Sequence, residues 1–283
     1  MALPVYRAKP DEHDPLAINA PLVAKWLEKF LRDEVVKRRG IRHAVVGLSG
    51  GVDSAVAAAL SARAFGAEHV TAIRMPYKSS SPDSLVHAQT VIDWLGIGAR
   101  TIDITPIVDA YAAAEPEITP ARLGNVCARA RMIVLFDRSA KLTALPIGTS
   151  NKSERLFGYF TWHADDSPPI NPLGDLFKTQ VWALARELGV PKEIVDKPAS
   201  ADLIKGQTDE SDFGISYAKA DRILHYLAQG HSRSQLEALG FPKSEVALVF
   251  DKVDSTHWKR HLPTVAMLSA SAINEYYLRP VDY

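Results

Sequence analysis

The stretch Gly47-Leu48-Ser49-Gly50-Gly51-Val52-Asp53-Ser54 constrains this chain more than any other part of it. It follows the apolar run His43-Ala44-Val45-Val46, which reads as a buried strand. It precedes the Ala-rich run Ala55 to Phe65, which reads as a helix. A strand, a Gly/Ser turn and a helix N-terminus in succession make an anion cradle. Glycines let the backbone approach phosphate closely, and the first helical N–H groups and the helix dipole favour negative charge. The loop lacks the Lys of the common G-x-x-x-x-G-K-[ST] phosphate loop. It offers the Asp53 carboxylate instead, a hard oxygen ligand able to hold Mg²⁺ against phosphates.

The rest of the chain repeats the strand–helix alternation. Residues 1–19 read as an extended arm, and 20–283 as one domain. Pro21 to Arg39 carries apolar residues at helical spacing. Further strands are expected at His69–Arg74, Ala99–Ile104 and Leu142–Ile147, with helices from Ser81 to Trp94, Pro106 to Ala114 and Arg122 to Lys141. This alternation predicts an α/β fold, a doubly wound, mainly parallel sheet flanked by helices. After about residue 200 the pattern becomes short helices, a helical C-terminal extension. Such sheets bind ligands outside the carboxyl ends of their strands, which would put the loop after Leu48, Arg74 and Gly148-Thr149 on one rim. Residues 160–177 form a long polar loop of the kind that often serves as a lid.

Composition narrows the function classes. Lys plus Arg equals Asp plus Glu, 33 each, which disfavours a nucleic-acid binder. No apolar run approaches the ~20 residues needed to span a bilayer, and the N-terminus lacks the pattern of a secretory signal. The single cysteine, Cys127, excludes an internal disulfide and suits a reducing cytosol, so a cytoplasmic enzyme is expected. Cys127 sits among helix formers and reads as packing.

Five further motifs stand in order: Asn125-Val-Cys-Ala-Arg129-Ala-Arg131-Met132, Gly148-Thr149-Ser-Asn-Lys-Ser-Glu154, Asn171-Pro-Leu-Gly-Asp-Leu-Phe-Lys178-Thr-Gln180, Lys197-Pro-Ala-Ser-Ala-Asp-Leu203 and Gly206-Gln-Thr208-Asp-Glu210. The S-G-G-x-D-S loop resembles that of enzymes which split ATP into AMP and pyrophosphate. With the five motifs, the chain from about 20 to 263 resembles ammonia-dependent NAD synthetase, of the adenine-nucleotide alpha-hydrolase-like fold. The resemblance implies that ATP adenylates the nicotinate carboxylate of deamido-NAD and that ammonia then displaces AMP. It implies that Gly47 to Ser54, Thr149, Lys178, Thr208 and, more weakly, Arg74 meet ATP. Asp53 and Glu154 would ligate Mg²⁺. Asp165 matches the ammonia-site carboxylate, and Arg129 and Lys259 match deamido-NAD contacts. Lys178 would also stabilise charge moving onto the leaving pyrophosphate.

The acceptor half departs from the family pattern. Trp162 stands where many members have Lys, Pro169 where they have Asp, and Trp258 where they have His. An indole at these places would stack on a ring of deamido-NAD, suit a different acyl acceptor, or pack an interface; the pattern leaves all three open. Pro168 and Pro169 should stiffen the loop. Glutamine-using relatives carry an amidase domain with a catalytic Cys. This chain has no room for one, which implies free ammonia or a separate glutaminase. The family forms homodimers, and the helices at 21–39 and 122–140 have apolar faces suited either to this or to the core. Another ATP pyrophosphatase acting on tRNA would want basic character or a Cys metal motif. A non-catalytic nucleotide-binding module would not need an Asp, Glu and Lys clamp.

Overall fold

The computed structural model describes residues 14–200, 208–261 and 264–268. Most of the expected arm, and the Ala201–Gln207 part of the motifs, lie outside the described residues. Within them, strands β1 (His43–Gly47), β2 (Val70–Arg74), β3 (Gly98–Thr101) and β4 (Ala144–Ile147) form one parallel sheet in the order β3-β2-β1-β4. Helix α1 is Ala20–Leu31, α2 Val52–Phe65, α3 Pro82–Leu95, α4 Thr105–Ala113 and α5 Pro120–Leu142. Then come α6 (Lys152–Phe157), α7 (Lys178–Leu188), α8 (Lys192–Val195), α9 (Asp209–Phe213), α10 (Tyr217–Ala228), α11 (Arg233–Ala238) and α12 (Lys243–Thr256).

The strand order explains where a ligand can bind. The chain leaves β1 in one direction through β2 to β3, then crosses to the other side of β1 for β4. The loops after β1 and β4 therefore diverge and leave a crevice at the carboxyl ends of these two strands. Parallel strands need helices on both faces, and both are present. On one face α1, α2, α3 and α7 bury Leu31, Leu60, Val91 and Leu184 against the sheet. On the other, α4 and α5 bury Val108, Cys127 and Leu135 against Val45 and Ile73.

Helix α2 is Ala-rich because it is covered on nearly every side. Ten of its fourteen residues are buried, and the small side chains let α1 and α7 approach it. The third strand is shorter than expected. β3 is an exposed edge strand that ends at Thr101, and beyond it the N–H groups of Ile102 and Ile104 donate to the carbonyls of Arg74 and Pro76 at 2.9 and 3.0 Å as Ile104 turns into the core ahead of α4. The C-terminal helices form a third core, in which Phe157, Phe213, Tyr217, Leu224 and Val249 pack together. Leu16, from the described end of the arm, is buried in the same core, and Gln180 Nε2 donates to its carbonyl at 3.1 Å. Half-buried Trp182 on α7 touches both this core and that of the sheet, so α7 joins the two layers. The long loop returns to the sheet at Ile170, which makes a single parallel bridge with Ile147. Among the described residues, no helix is long and apolar enough to cross a membrane.

Candidate active site

The loop between β1 and α2 turns at Gly50, whose φ is +78°. A Cβ there would stand 2.3 Å from the Ser84 carbonyl oxygen, so the position admits only glycine. Two serines hold the loop shut. The Ser49 N–H donates to Ser54 Oγ at 3.3 Å, and Ser54 Oγ donates to the Gly51 carbonyl at 3.0 Å. Gly51 is the N-cap of α2 and has no side chain to occupy the first N–H groups of that helix.

Asp53 lies in the first turn of α2, Glu154 in that of α6, and Lys178 begins α7. The Lys178 ammonium is 2.5 Å from Asp53 Oδ2 and 3.5 Å from Glu154 Oε1, and it also lies 5.3 Å from the centre of the Tyr217 ring. Asn151 ties the set together. Its Nδ2 donates to Asp53 Oδ1 at 3.0 Å, and its Oδ1 accepts the Glu154 N–H at 3.0 Å. Glu154 Oε2 in turn accepts the Asn151 N–H at 3.3 Å, which completes a capping box. A third carboxylate, Asp209, starts α9. Its Oδ2 accepts the Tyr217 hydroxyl at 2.9 Å, while its buried Oδ1 has no hydrogen-bond partner among the described residues.

Asp53 and Glu154 thus share one ammonium, and Asp209 acts on it at longer range. Burial, reinforced by Asp53, pushes Glu154 up to about 8 against the pull of Lys178. Burial alone would lower Lys178, but Asp53 and Glu154 outweigh it and hold the ammonium above its ordinary value. Burial likewise raises Asp209. Excess negative charge of this kind is what an added cation would relieve.

This cluster lines a cavity of about 720 Å³ at the β1/β4 crevice. Phe160, Thr161, Asp165, Pro168 and Lys259 line the same cavity. The Thr161 N–H donates to Asp165 Oδ1 at 2.8 Å, and burial pushes the Asp165 carboxyl up to about 6. Lys259 donates to the carbonyls of Gly158 and Phe160 and lies 4.4 Å above the Phe160 ring. Burial lowers its ammonium, opposed by Asp165 and Asp166.

Of the residues expected from sequence, Gly47, Leu48, Ser49, Gly51, Val52, Asp53, Ser54, Thr149, Glu154, Asp165, Lys178 and Lys259 line this one cavity. Gly50 lies behind the loop. Arg74 ends β2, yet its Nη1 donates to Gln89 Oε1 of α3 at 2.6 Å, outside the lining. Thr208 caps α9 by accepting the Ser211 N–H at 3.2 Å. Arg129 donates to the Trp162 carbonyl at 3.0 Å, and the Trp162 ring meets Trp258 edge-on, centres 5.3 Å apart. These three stand beside the cavity as a brace on the loop.

Sequence reasoning passed over Asn125, Arg131, Tyr159 and Asp209, all of which line the cavity, and Asn151 beneath it. Arg131 stands in the Asn125–Met132 motif without a role of its own in the sequence reading; its Nε donates to the Met75 carbonyl at 3.2 Å. Its signal was the helical spacing Asn125, Ala128, Arg131, Met132, Leu135, one face of α5. Asn151 was legible as an N-cap three residues before a Glu.

Known proteins place this geometry. The family model described as NAD synthase matches residues 23–263. An NH(3)-dependent NAD(+) synthetase of Trichlorobacter lovleyi is 46% identical over 269 residues, 95% of this chain and 98% of that one. The solved structure of an NMN synthetase from Francisella tularensis superposes with a TM-score of 0.78 at 31% identity, covering 88% of this chain and 99% of the other. An NH3-dependent NAD synthetase from Campylobacter jejuni superposes with a TM-score of 0.76 at 30% identity, over 88% and 100% of the two chains. On sequence and on architecture alike, this chain belongs to the NAD synthase family.

Proposed function

We propose that the chain amidates the nicotinate carboxylate of deamido-NAD, consuming ATP and ammonia and releasing AMP and pyrophosphate. The observation that carries this reading is that the Asp53–Lys178–Glu154 cluster and Asp165 line one and the same cavity. A carboxylate is a poor electrophile, and adenylation turns its oxygen into a leaving group. The nucleotide needs donors for phosphate charge, which the glycine loop and Lys178 supply. The amidation needs a base, because ammonium must lose a proton before its nitrogen can attack. Asp165, titrating at about 6, is charged at neutral pH and takes that proton. AMP then departs from the acyl carbon as the C–N bond forms.

Mg²⁺ fits the cluster that holds Lys178. Asp53 and Glu154 offer hard oxygens, and Asp209 Oδ1 is buried without a partner among the described residues. Among the described residues, no three His, Cys, Asp or Glu side chains are set to hold a metal alone. A small dication would therefore take one or two carboxylates and fill its remaining positions with phosphate oxygens and water. When bound, it would neutralise charge on the departing pyrophosphate. Ammonia arrives free or from a separate glutaminase. A homodimer is supported by exposed apolar side chains on two helices, Ile107 and Tyr111 of α4 and Ile133 and Phe136 of α5. Light scattering should give twice the 31.0 kDa chain mass.

A second reading follows from the likeness to an NMN synthetase, namely that the acceptor is the deamidated mononucleotide. The test supplies MgATP with either acceptor, and with ammonium or glutamine. NAD and AMP in equal amounts, with ammonium only, is the expected result. Preference for the mononucleotide would favour the second reading, and no amide from either would overturn both.

A further inference from the structure

Asp221 on α10 is fully buried, yet it faces no cavity and pairs with no cation among the described residues. Its partners are all donors from the two helices that carry the nucleotide clamp. Oδ1 accepts the Ser153 hydroxyl at 2.5 Å. Oδ2 accepts both the Thr179 N–H at 2.9 Å and the Thr179 hydroxyl at 2.8 Å. Ser153 Oγ in turn accepts the N–H of Lys178 at 3.0 Å.

Sequence adjacency makes this pattern informative. Ser153 precedes Glu154, and Thr179 follows Lys178. Helix α7 has no capping hydrogen bond from the side chain of its own N-cap, Phe177. Its first two N–H groups are satisfied instead by Ser153 and Asp221. A buried carboxylate is costly unless fully hydrogen-bonded, and a negative charge is favourable at a helix N-terminus. Both conditions are met here by one side chain.

We propose that Asp221 is a positioning residue for catalysis. It locks the first turn of α7 to α6 and so fixes the Lys178 ammonium between Asp53 and Glu154. The proposal rests on the roles of Lys178 and Glu154 given above. It adds that their geometry is set from outside the cavity, by the C-terminal helical layer.

Asp221→Asn tests this, because an amide N–H₂ would face a donor where the carboxylate faces only donors. With MgATP, deamido-NAD and ammonium, kcat should fall about 10–100-fold while the deamido-NAD KM stays within about twofold. The Kd for MgATP should rise about tenfold by calorimetry. That binding measurement needs no acceptor. It reports on Asp221 even if the wild-type chain forms no NAD, a result that would count against the function instead. In a Lys178→Ala background, Asp221→Asn should cost almost nothing more, since it acts through the missing group. Wild-type kcat and MgATP affinity in Asp221→Asn, or an equal loss repeated on top of Lys178→Ala, would overturn the proposal. Should Asp221→Asn fail to fold, Ser153→Ala and Thr179→Val each remove a single donor. Each should lower kcat about threefold or more with an unchanged deamido-NAD KM, and wild-type kcat in both would overturn it.

Discussion

Among the residues expected to meet ATP, Asp53, Glu154 and Lys178 each occupy the first turn of a helix, α2 against the sheet and α6 against the C-terminal helices. Among those expected to meet the acceptor, Asp165 lies in a turn and Lys259 in a short 3₁₀ segment. A first-turn side chain is aimed by its helix. The acceptor groups are instead held by bonds reaching across the chain. Arg129 holds Trp162, Thr161 donates to Asn125 Oδ1 at 2.9 Å, and Lys259 holds Gly158 and Phe160. The comparison teaches that the charges expected to meet ATP are aimed by helix starts, while the residues expected to meet the acceptor stand in turns and a short 3₁₀ segment. Trp162 and Trp258, two of the departures from the family pattern, touch each other beside the cavity. They form one coupled feature.

The largest effect should come from breaking the cluster set by helix starts. Asp53→Ala or Lys178→Ala should lower pyrophosphate release about 10³-fold or more in a stopped end-point assay. A loss below tenfold in both would remove these residues from the chemistry. Next comes Asp165→Asn, which should leave MgATP binding near wild type and slow NAD formation by about 10²–10⁴-fold. Wild-type NAD formation should weaken as pH falls through about 6, because the carboxylate must be charged to accept the ammonium proton. That acid limb should vanish from the residual Asp165→Asn profile, and its persistence would exclude Asp165 as the base.

Gly50→Ala probes the glycine loop more gently. Strain at φ +78° and contact with the Ser84 carbonyl should cost about 1–3 kcal/mol and weaken ATP binding roughly tenfold, read by calorimetry. The smallest effect is expected at the two indoles. If the indoles meet the acceptor, Trp162→Ala and Trp258→Ala should each raise the deamido-NAD KM about fivefold and leave the ATP KM unchanged. A double-mutant cycle should give about 0.5–1.5 kcal/mol of coupling between them. Additive effects on stability and an unchanged KM would make the pair ordinary packing.

Much of the molecule was legible along the chain because its signals are local. A buried apolar run, a turn requiring glycine and a helix start occur within a dozen residues at Val45 to Ser54, and the physics of each is short-range. The same holds for the strand–helix alternation, which dictates a parallel sheet once crossovers are needed. Asp53 was legible from the loop itself, whereas Glu154 and Lys178 were expected at the site only through the resemblance to the family. What the sequence could not place was whatever depends on which helix packs against which. Arg74 and Arg129 end or occupy the right elements, but a rotation about the strand or helix axis sends one guanidinium to Gln89 and the other to the Trp162 carbonyl. Arg131, two residues from Arg129, faces the cavity instead. Asp209 and Asp221 lie far along the chain from Lys178, and only the docking of α9 and α10 brings them beside it. The sequence by itself determined the strand–helix alternation and the glycine turn after β1, because local backbone preference decides these. Tertiary packing alone decided the surroundings of Asp165 and Lys259 and the buried brace behind Lys178, because both are made by contacts between residues distant in the chain.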